Sequence, residues 1–146
     1  MAQRSFVIQS ATIHGVEALP VFVEVVISSG IPSFLIVGMA DATIMESRER
    51  VKAALRASGF VMPTDKIVVN LAPGALRKTG SGFDLPIALG ILAATGQINP
   101  EWVVGALVVG ELSLSGAVRA NVGMLAYQKC ALEHGWDIVT GIAERG

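Results

Sequence analysis

The chain contains a single cysteine, Cys130, and two histidines, His14 and His134, which lie far apart in the sequence. One cysteine cannot form an internal disulfide, and these three residues do not have the spacing of a metal-ligand cluster. Apolar runs long enough to span a membrane are also missing. The run at residues 85–96 has about twelve residues, whereas a membrane-spanning helix requires roughly 18. The sequence therefore predicts neither a disulfide scaffold, a metal site nor a membrane span.

An excess of positive charge is missing as well. The chain has 11 Lys and Arg residues against 12 Asp and Glu residues, for a formal net charge of −1. Tight nucleic-acid binding by the whole surface is therefore not expected, and any such contact must come from a local basic patch. The first residues lack the continuous apolar core of a signal peptide, so we expect a cytoplasmic protein.

Hydrophobic residues make up 52% of the 146 residues, which is enough for one domain, 1–146, with a substantial core. Apolar periodicity and turn residues predict the order βββ-α-β-α-ββ-α-β, an α/β (α+β) sandwich with a mixed sheet. The first three strands, at 5–13, 20–27 and 34–37, are expected to form an antiparallel meander. The other predicted strands are 66–71, 102–111, a hairpin within 112–120 and 137–140, and the predicted helices are 42–58, about 84–95 and 124–134.

The helix predicted at 42–58 has clear end signals, because Asp41 can cap its first turn and Gly59 suits the left-handed position after its end. Glu46 and Arg50 have the i,i+4 spacing of an ion pair. A basic row also recurs every four residues on this helix, and it is either a solvated face or a contact to phosphates or a neighbouring subunit. The row consists of Arg48, Lys52 and Arg56.

The loop between the strand at 66–71 and the next helix carries three glycines and the pair Arg77-Lys78. Lys78-Thr79 fits the end of a Walker phosphate loop, but Ala72 and Arg77 occupy its glycine positions, and the dinucleotide spacing of glycines fails too. Asp84 is expected to cap the following helix, which would place a negative charge where an anion would bind. A nucleotide site is therefore not predicted here.

A hydrolytic site is the other interpretation of this loop. Ser81 with Lys78 could form a serine–lysine pair, although a serine between glycines is usually a turn residue. Asp84 and Glu111 are expected to be buried structural carboxylates. His14 and His134 are expected at the surface, and Cys130 in the core.

Three ordered blocks, 15–60, 66–98 and 109–125, resemble the N-terminal domain of the ComM/YifB family, which are magnesium-chelatase-like AAA+ ATPases. The likeness runs from Gly15 to about Leu132 and fades after Asp137. It implies a Lon-protease proteolytic-domain-like fold, of the small-subunit ribosomal protein domain-2-like superfamily. In the alignment that the resemblance implies, Gly82 stands at the position of the catalytic serine and Leu125 at that of the lysine, so a catalytic residue is not expected.

The resemblance also implies a function. The chain is expected to be the noncatalytic N-terminal domain of a ComM-like AAA+ ATPase and helicase. The whole protein is expected to act in DNA processing, by branch migration during natural transformation, and this domain is expected to contribute to ring assembly and DNA engagement. The alternatives are an oligomerisation or partner-docking module without DNA contact, and a residual Ser-Lys hydrolase using Ser81. No cofactor is expected in this chain, and ATP and magnesium are expected on a downstream AAA+ module.

The partners expected from the same resemblance are further copies of the chain, as a hexamer in the full-length protein, and DNA. A membrane or a porphyrin is not expected. The candidate phosphate contacts combine the loop pair with the basic row of the first helix. They are Arg77, Lys78, Arg48, Lys52 and Arg56.

Overall fold

The computed structural model describes residues 4–141. The strands in this part of the chain are β1 (Arg4–His14), β2 (Glu17–Ser28), β3 (Ser33–Val37), β4 (Lys66–Ala72), β5 (Ala106–Val108), β6 (Glu111–Leu112), β7 (Val118–Arg119) and β8 (Asp137–Val139). The helices are α1 (Ala42–Met45), α2 (Ser47–Ala57), α3 (Asp84–Ala94) and α4 (Met124–His134), with a 3₁₀ turn at Pro100–Trp102. The tail that follows residue 141 lies outside the described residues.

Six strands form one mixed sheet in the order β3-β4-β2-β1-β5-β8, and β6 and β7 form a separate two-stranded ribbon. The pairs β1–β2 and β2–β4 are antiparallel, whereas β3–β4, β1–β5 and β5–β8 are parallel. This architecture confirms the predicted mixed α/β class. The predicted meander is wrong, because β4 is inserted beside β2 and β3 pairs with β4 at the edge of the sheet.

The reason for this order lies in how completely each strand is buried. In β4, Ile67, Val69 and Leu71 are at most 1% exposed, as suits a strand with neighbours on both sides. The five-residue β3 buries Phe34 and Ile36 on the core face but leaves Leu35 and Val37 nearly half exposed. A short strand with one exposed face is best placed at the edge.

The main core lies between the sheet and the helices α2 and α3. Alternate residues of β2 from Val21 to Ile27 are fully buried on this face. The apolar helix α3 packs closely against them, since a Cβ at Gly90 would lie 2.5 Å from Val25 Cγ2. A smaller apolar cluster lies on the opposite face of the sheet. There Tyr127 and Cys130 of α4 pack against Ala11 of β1 and Leu107 of β5.

The helix α4 leaves part of this second face uncovered. In the strand registers, Val7, Glu24, Asn70 and Val37 form one row across β1, β2, β4 and β3, and Leu35 lies in the next row. Val7, Phe22, Leu35 and Val37 are each between 41% and 47% exposed. We call these four side chains the open face.

Two predicted elements differ from the structure. The helix expected at 42–58 is divided at Glu46 into α1 and α2, although its end signals are confirmed: Asp41 Oδ1 accepts a hydrogen bond from Ile44 N at 2.8 Å, and Gly59 has φ +83°. The strand expected at 102–111 is reduced to β5, because the chain leaves the sheet at Gly110 to pack against Val118. No helix within residues 4–141 is long and apolar enough to cross a membrane.

Candidate functional site

The loop between β4 and α3 is tied to the turn that precedes α1. Lys78 N donates to Met39 O at 3.0 Å, and Asp41 N donates to Lys78 O at 3.2 Å. The carboxylate of Asp41 makes a further tie, because its Oδ2 accepts from Gly80 N at 3.1 Å while its Oδ1 caps α1. One aspartate therefore fixes the start of a helix and the path of a loop 39 residues further along the chain.

Lys78 is fully buried, at 0% exposure. Its Nζ donates to Gly38 O at 2.5 Å and to Pro73 O. Burial lowers the pKa of this amine, because desolvation disfavours its charged form. The prediction that Lys78 is exposed is therefore wrong. The carbonyl of Pro73 belongs to the same loop, but that of Gly38 lies 40 residues earlier, and the local sequence could not indicate this second partner.

Asp84 is also fully buried, and it does not cap α3 as predicted. Its carboxylate accepts from Arg50 Nε at 2.6 Å, from Arg50 Nη2 at 3.1 Å and from Leu112 N at 3.1 Å, and also from the Ser47 hydroxyl. These bonds raise the pKa of Arg50, for which the hydrogen bond to Asp84 is the largest cause. The prediction of a buried structural carboxylate is confirmed, with a guanidinium as its main partner.

The Asp84 network joins three segments of the chain, because Ser47 and Arg50 lie on α2, Asp84 begins α3, and Leu112 lies on β6. The predicted pair of Glu46 with Arg50 is present at 3.4 Å, but Glu46 is exposed and Asp84 is the buried partner. Sequence analysis missed this role of Arg50. The i,i+4 spacing to Glu46 already supplied a partner for Arg50, so nothing indicated a second carboxylate 34 residues away.

Ser81 lies in a polar cluster beside this network. Its hydroxyl donates to Glu111 Oε2 at 2.5 Å and accepts from Asn121 Nδ2 at 3.3 Å. The amine of Lys78, three residues earlier, is directed instead at the carbonyls of Gly38 and Pro73. The structure therefore does not pair Lys78 with Ser81, and it brings in Asn121, which sequence analysis missed.

Gly82, the position that the resemblance assigned to the catalytic serine, has no space for a side chain. A Cβ at this position would lie 2.9 Å from Val109 Cγ2 and 3.3 Å from Asn121 Oδ1. Leu125, which the resemblance assigned to the lysine position, is 83% exposed on α4 and does not line the cavity around Gly82.

The remaining basic candidates do not form one patch. Arg48 is half-buried, with Nε donating to Met45 O at 3.0 Å and Nη1 to Phe34 O at 3.4 Å. Lys52 and Arg56 line a groove beside Ser33 and Asp65, where β3 and β4 begin. Arg77 is exposed in the loop that follows the opposite end of β4. Strand β4, whose seven residues rise about 3.3 Å each, is about 20 Å long and lies between the two locations.

Groups that could hold a metal ion are not found in residues 4–141, where no three His, Cys, Asp or Glu side chains converge. Cys130 is buried, and His134 is exposed and stacks on Trp136 with a ring separation of 4.6 Å. These two placements confirm the sequence predictions, as does the exposure of His14.

Comparison with known proteins assigns the class of protein. Residues 23–141 match the model of the family described as subunit ChlI of Mg-chelatase, and the chain belongs to this family. Within it, the chain is 41% identical over 125 residues to the protein YifB of Salmonella typhimurium and 42% identical over 125 residues to YifB of Escherichia coli. Each of these alignments covers 86% of the chain and 25% of the relative.

The competence protein ComM of Haemophilus influenzae is 41% identical over 119 residues, which are 82% of the chain and 23% of ComM. Membership of the ComM/YifB family, predicted from the sequence, is thereby confirmed. The chain spans about a quarter of the length of these three relatives.

Proposed function

We propose that this chain is a noncatalytic domain of a ComM-like AAA+ ATPase that acts in DNA processing, where it contributes to ring assembly and DNA engagement. The observation that carries the proposal is the 41% identity to the competence protein ComM. ATP and magnesium then belong to a AAA+ module in the three-quarters of the relatives that this chain does not cover. The role in DNA processing is that of the whole protein, to which this domain contributes contacts.

The absence of peptide hydrolysis is supported by the loop geometry. A serine nucleophile requires a base or an amine that takes its proton. The amine of Lys78 is occupied by two carbonyls, and the position of Gly82 is closed by Val109. Ser81 has Glu111 as its acceptor, a carboxylate that is a far weaker base than a neutral lysine amine.

DNA contact is proposed for Arg77 and Arg56, which are exposed, and for Lys52, which is partly exposed. Arg77 extends from the loop after β4, and Lys52 and Arg56 flank the groove at the other end of the strand. A separation of about 20 Å corresponds to about six base pairs of a duplex at 3.4 Å per step. Both locations can therefore contact one DNA backbone, with Lys78 removed from the predicted set because it is buried.

The test is fluorescence anisotropy of a labelled forked DNA with the purified chain at 50 mM salt, repeated at 200 mM. We expect Arg77→Glu and Arg56→Glu each to weaken binding several-fold and to lower the salt slope by about 0.9 per lost contact. Lys129→Glu is the matched control, because Lys129 is 70% exposed on α4, away from both locations. Equal effects of Arg77→Glu and Lys129→Glu, or no salt-dependent binding by the unaltered chain, would refute the DNA role.

The second candidate function is docking to another copy of the chain without DNA contact. The observation that favours it is the open face, two of whose four apolar side chains, Leu35 and Val37, lie on the edge strand β3. Exposed apolar side chains grouped on one face of a sheet are typical of an interaction surface. If this candidate is correct, Val37→Glu will reduce the mass measured by analytical ultracentrifugation to that of one chain, and Val104→Glu, equally apolar and exposed elsewhere, will not. A chain that is already monomeric at high concentration contradicts it.

A further inference from the structure

The outer side of α4 carries two exposed leucines with a lysine between them, and we call these three residues the outer stripe. Leu125 and Leu132 are 83% and 81% exposed, and they lie about two turns, or about 10 Å, apart along the helix. Lys129 stands between them, four residues after the first leucine and three before the second. The opposite side of α4 packs on the sheet through Tyr127 and Cys130. Apolar residues on both sides are typical of a helix that is covered on both sides.

The open face carries the opposite charge near its centre. Glu24 on β2 is paired in the register with Val7 on β1 and with Asn70 on β4, and it shares a side of the sheet with Phe22. The Glu24 side chain is half-buried, and within residues 4–141 it makes no hydrogen bond or ion pair. A carboxylate in partly apolar surroundings is stabilised by a cation that is brought to it.

The outer stripe matches the open face in charge and in size. Two open faces packed on each other would bring two Glu24 carboxylates into one apolar interface, which like charge disfavours. The outer stripe instead presents a cation between two leucines. The open face crosses β1, β2, β4 and β3, which are three spacings of about 4.8 Å, or about 14 Å, and a helix with its side chains is about 10 Å across. One helix therefore covers most of the open face.

We propose that two copies of the chain dock reciprocally, with the outer stripe of each copy on the open face of the other. The arrangement is reciprocal because α4 lies beside the open face on the same side of the sheet, where Trp136 and Phe22 have a ring separation of 6.3 Å. A second copy, turned over by a two-fold rotation, places its α4 on this open face and its open face on this α4.

The docked arrangement brings Lys129 of one copy to Glu24 of the other. The ammonium has three donors, so it also keeps Glu133 of its own helix, whose Oε1 lies 3.9 Å from Lys129 Nζ. The proposal rests on the second candidate function, docking between copies, and adds to it the surface that covers the open face.

The test is sedimentation equilibrium of the purified chain between about 5 and about 200 µM. We expect a monomer–dimer equilibrium with a Kd of about 50 µM, as suits a small interface, so that the chain is mainly monomeric at the low-micromolar concentrations of fluorescence measurements. Leu132→Glu should raise the Kd by about tenfold or more, because it brings a second carboxylate to Glu24 and the open face. The matched control is Leu114→Glu, since Leu114 is 64% exposed in the turn between β6 and β7, and it should leave the Kd unchanged.

A charge exchange tests the pair itself. Glu24→Lys and Lys129→Glu should each raise the Kd by about tenfold, and the variant with both changes should return it to within about threefold of the value for the unaltered chain. If Glu24→Lys does not fold, Lys129→Glu and Leu132→Glu, both at exposed positions, still test the outer stripe. A double variant that associates no better than the single variants would show that Lys129 does not meet Glu24, and the proposed arrangement would be wrong.

The same measurements separate this proposal from the candidate function on which it rests. Association that Val37→Glu abolishes and Leu132→Glu leaves unchanged would overturn the role of α4, while docking through the open face would stand. A chain that stays monomeric at about 200 µM would contradict both.

Discussion

The buried pair of Arg50 and Asp84 gives the sharpest stability prediction. Asp84 is 0% exposed and the Arg50 side chain 18%, and two guanidinium nitrogens bond to the carboxylate. Arg50→Met would leave the carboxylate charged inside the protein with the Ser47 hydroxyl and the Leu112 amide as its remaining partners. Removing one partner of such a pair costs about 3–5 kcal/mol, because the other charge stays buried without compensation.

We therefore expect Arg50→Met to lower the free energy of unfolding by about 3–5 kcal/mol and Asp84→Leu by a similar amount. The double variant should cost no more than either single one, since it removes both charges and leaves mainly the Leu112 amide unsatisfied, at about 1–3 kcal/mol. Urea unfolding followed by tryptophan fluorescence measures these values, and the midpoint of thermal unfolding should fall by about 10 °C for Arg50→Met.

The control is the exposed pair of Lys129 and Glu133, which are 3.9 Å apart with side chains 70% and 59% exposed. Lys129→Met should change the free energy of unfolding by about 0–1 kcal/mol. If Arg50→Met also costs less than about 1 kcal/mol, or if the two single effects add in the double variant, Asp84 is not a buried charge held by Arg50. The account of how α2, α3 and β6 are joined would then be wrong.

Three further predictions concern the loop and the core. Gly82→Ala should lower the free energy of unfolding by about 1–3 kcal/mol in urea melts, because its Cβ would lie 2.9 Å from Val109 Cγ2, and Val109→Ala should relieve part of the cost in a double variant. Burial lowers the pKa of Lys78, so the folded chain binds fewer protons than the unfolded chain as the pH approaches the ordinary lysine value of about 10.4. The free energy of unfolding should therefore rise with pH in this range for the unaltered chain, but not for Lys78→Met. Parallel melts of the two chains at pH 8 and 9.5 measure the difference, and identical pH dependence would refute it. Burial and Glu133 raise the pKa of the Cys130 thiol, so its reaction with a disulfide reagent should be slow in the folded chain and fast in urea, whereas equal rates would place the thiol at the surface.

The sequence predicted features that depend on neighbouring residues. Asp41 was recognised as a helix cap and Gly59 as a helix end, because both act through the backbone within one turn. The apolar character of α3 also predicted its burial, which the packing of Gly90 against Val25 confirms. The mixed α/β class followed from these local signals.

The errors occurred where the partner is distant in sequence. The position of Asp84 before an apolar helix is typical of a cap, and only the fold brings Arg50, 34 residues earlier, into contact with it. Lys78 beside Arg77 in a glycine-rich loop is typical of a solvent-exposed pair, but its carbonyl partner at Gly38 lies 40 residues away. Periodicity and composition carry no information about contacts between distant residues. The local sequence therefore predicts a helix cap for Asp84 and an exposed side chain for Lys78.

These two buried side chains explain how the loop keeps a fixed shape. Lys78 holds the loop to the turn after β3, and Asp84 holds its other end to α2 and β6, so both ends are fixed by bonds that a surface loop does not have. The residues between them, including Ser81, are therefore presented at a fixed position beside Glu111 and Asn121. A rigid polar cluster of this kind is suited to recognition, because little conformational entropy is lost when a partner binds.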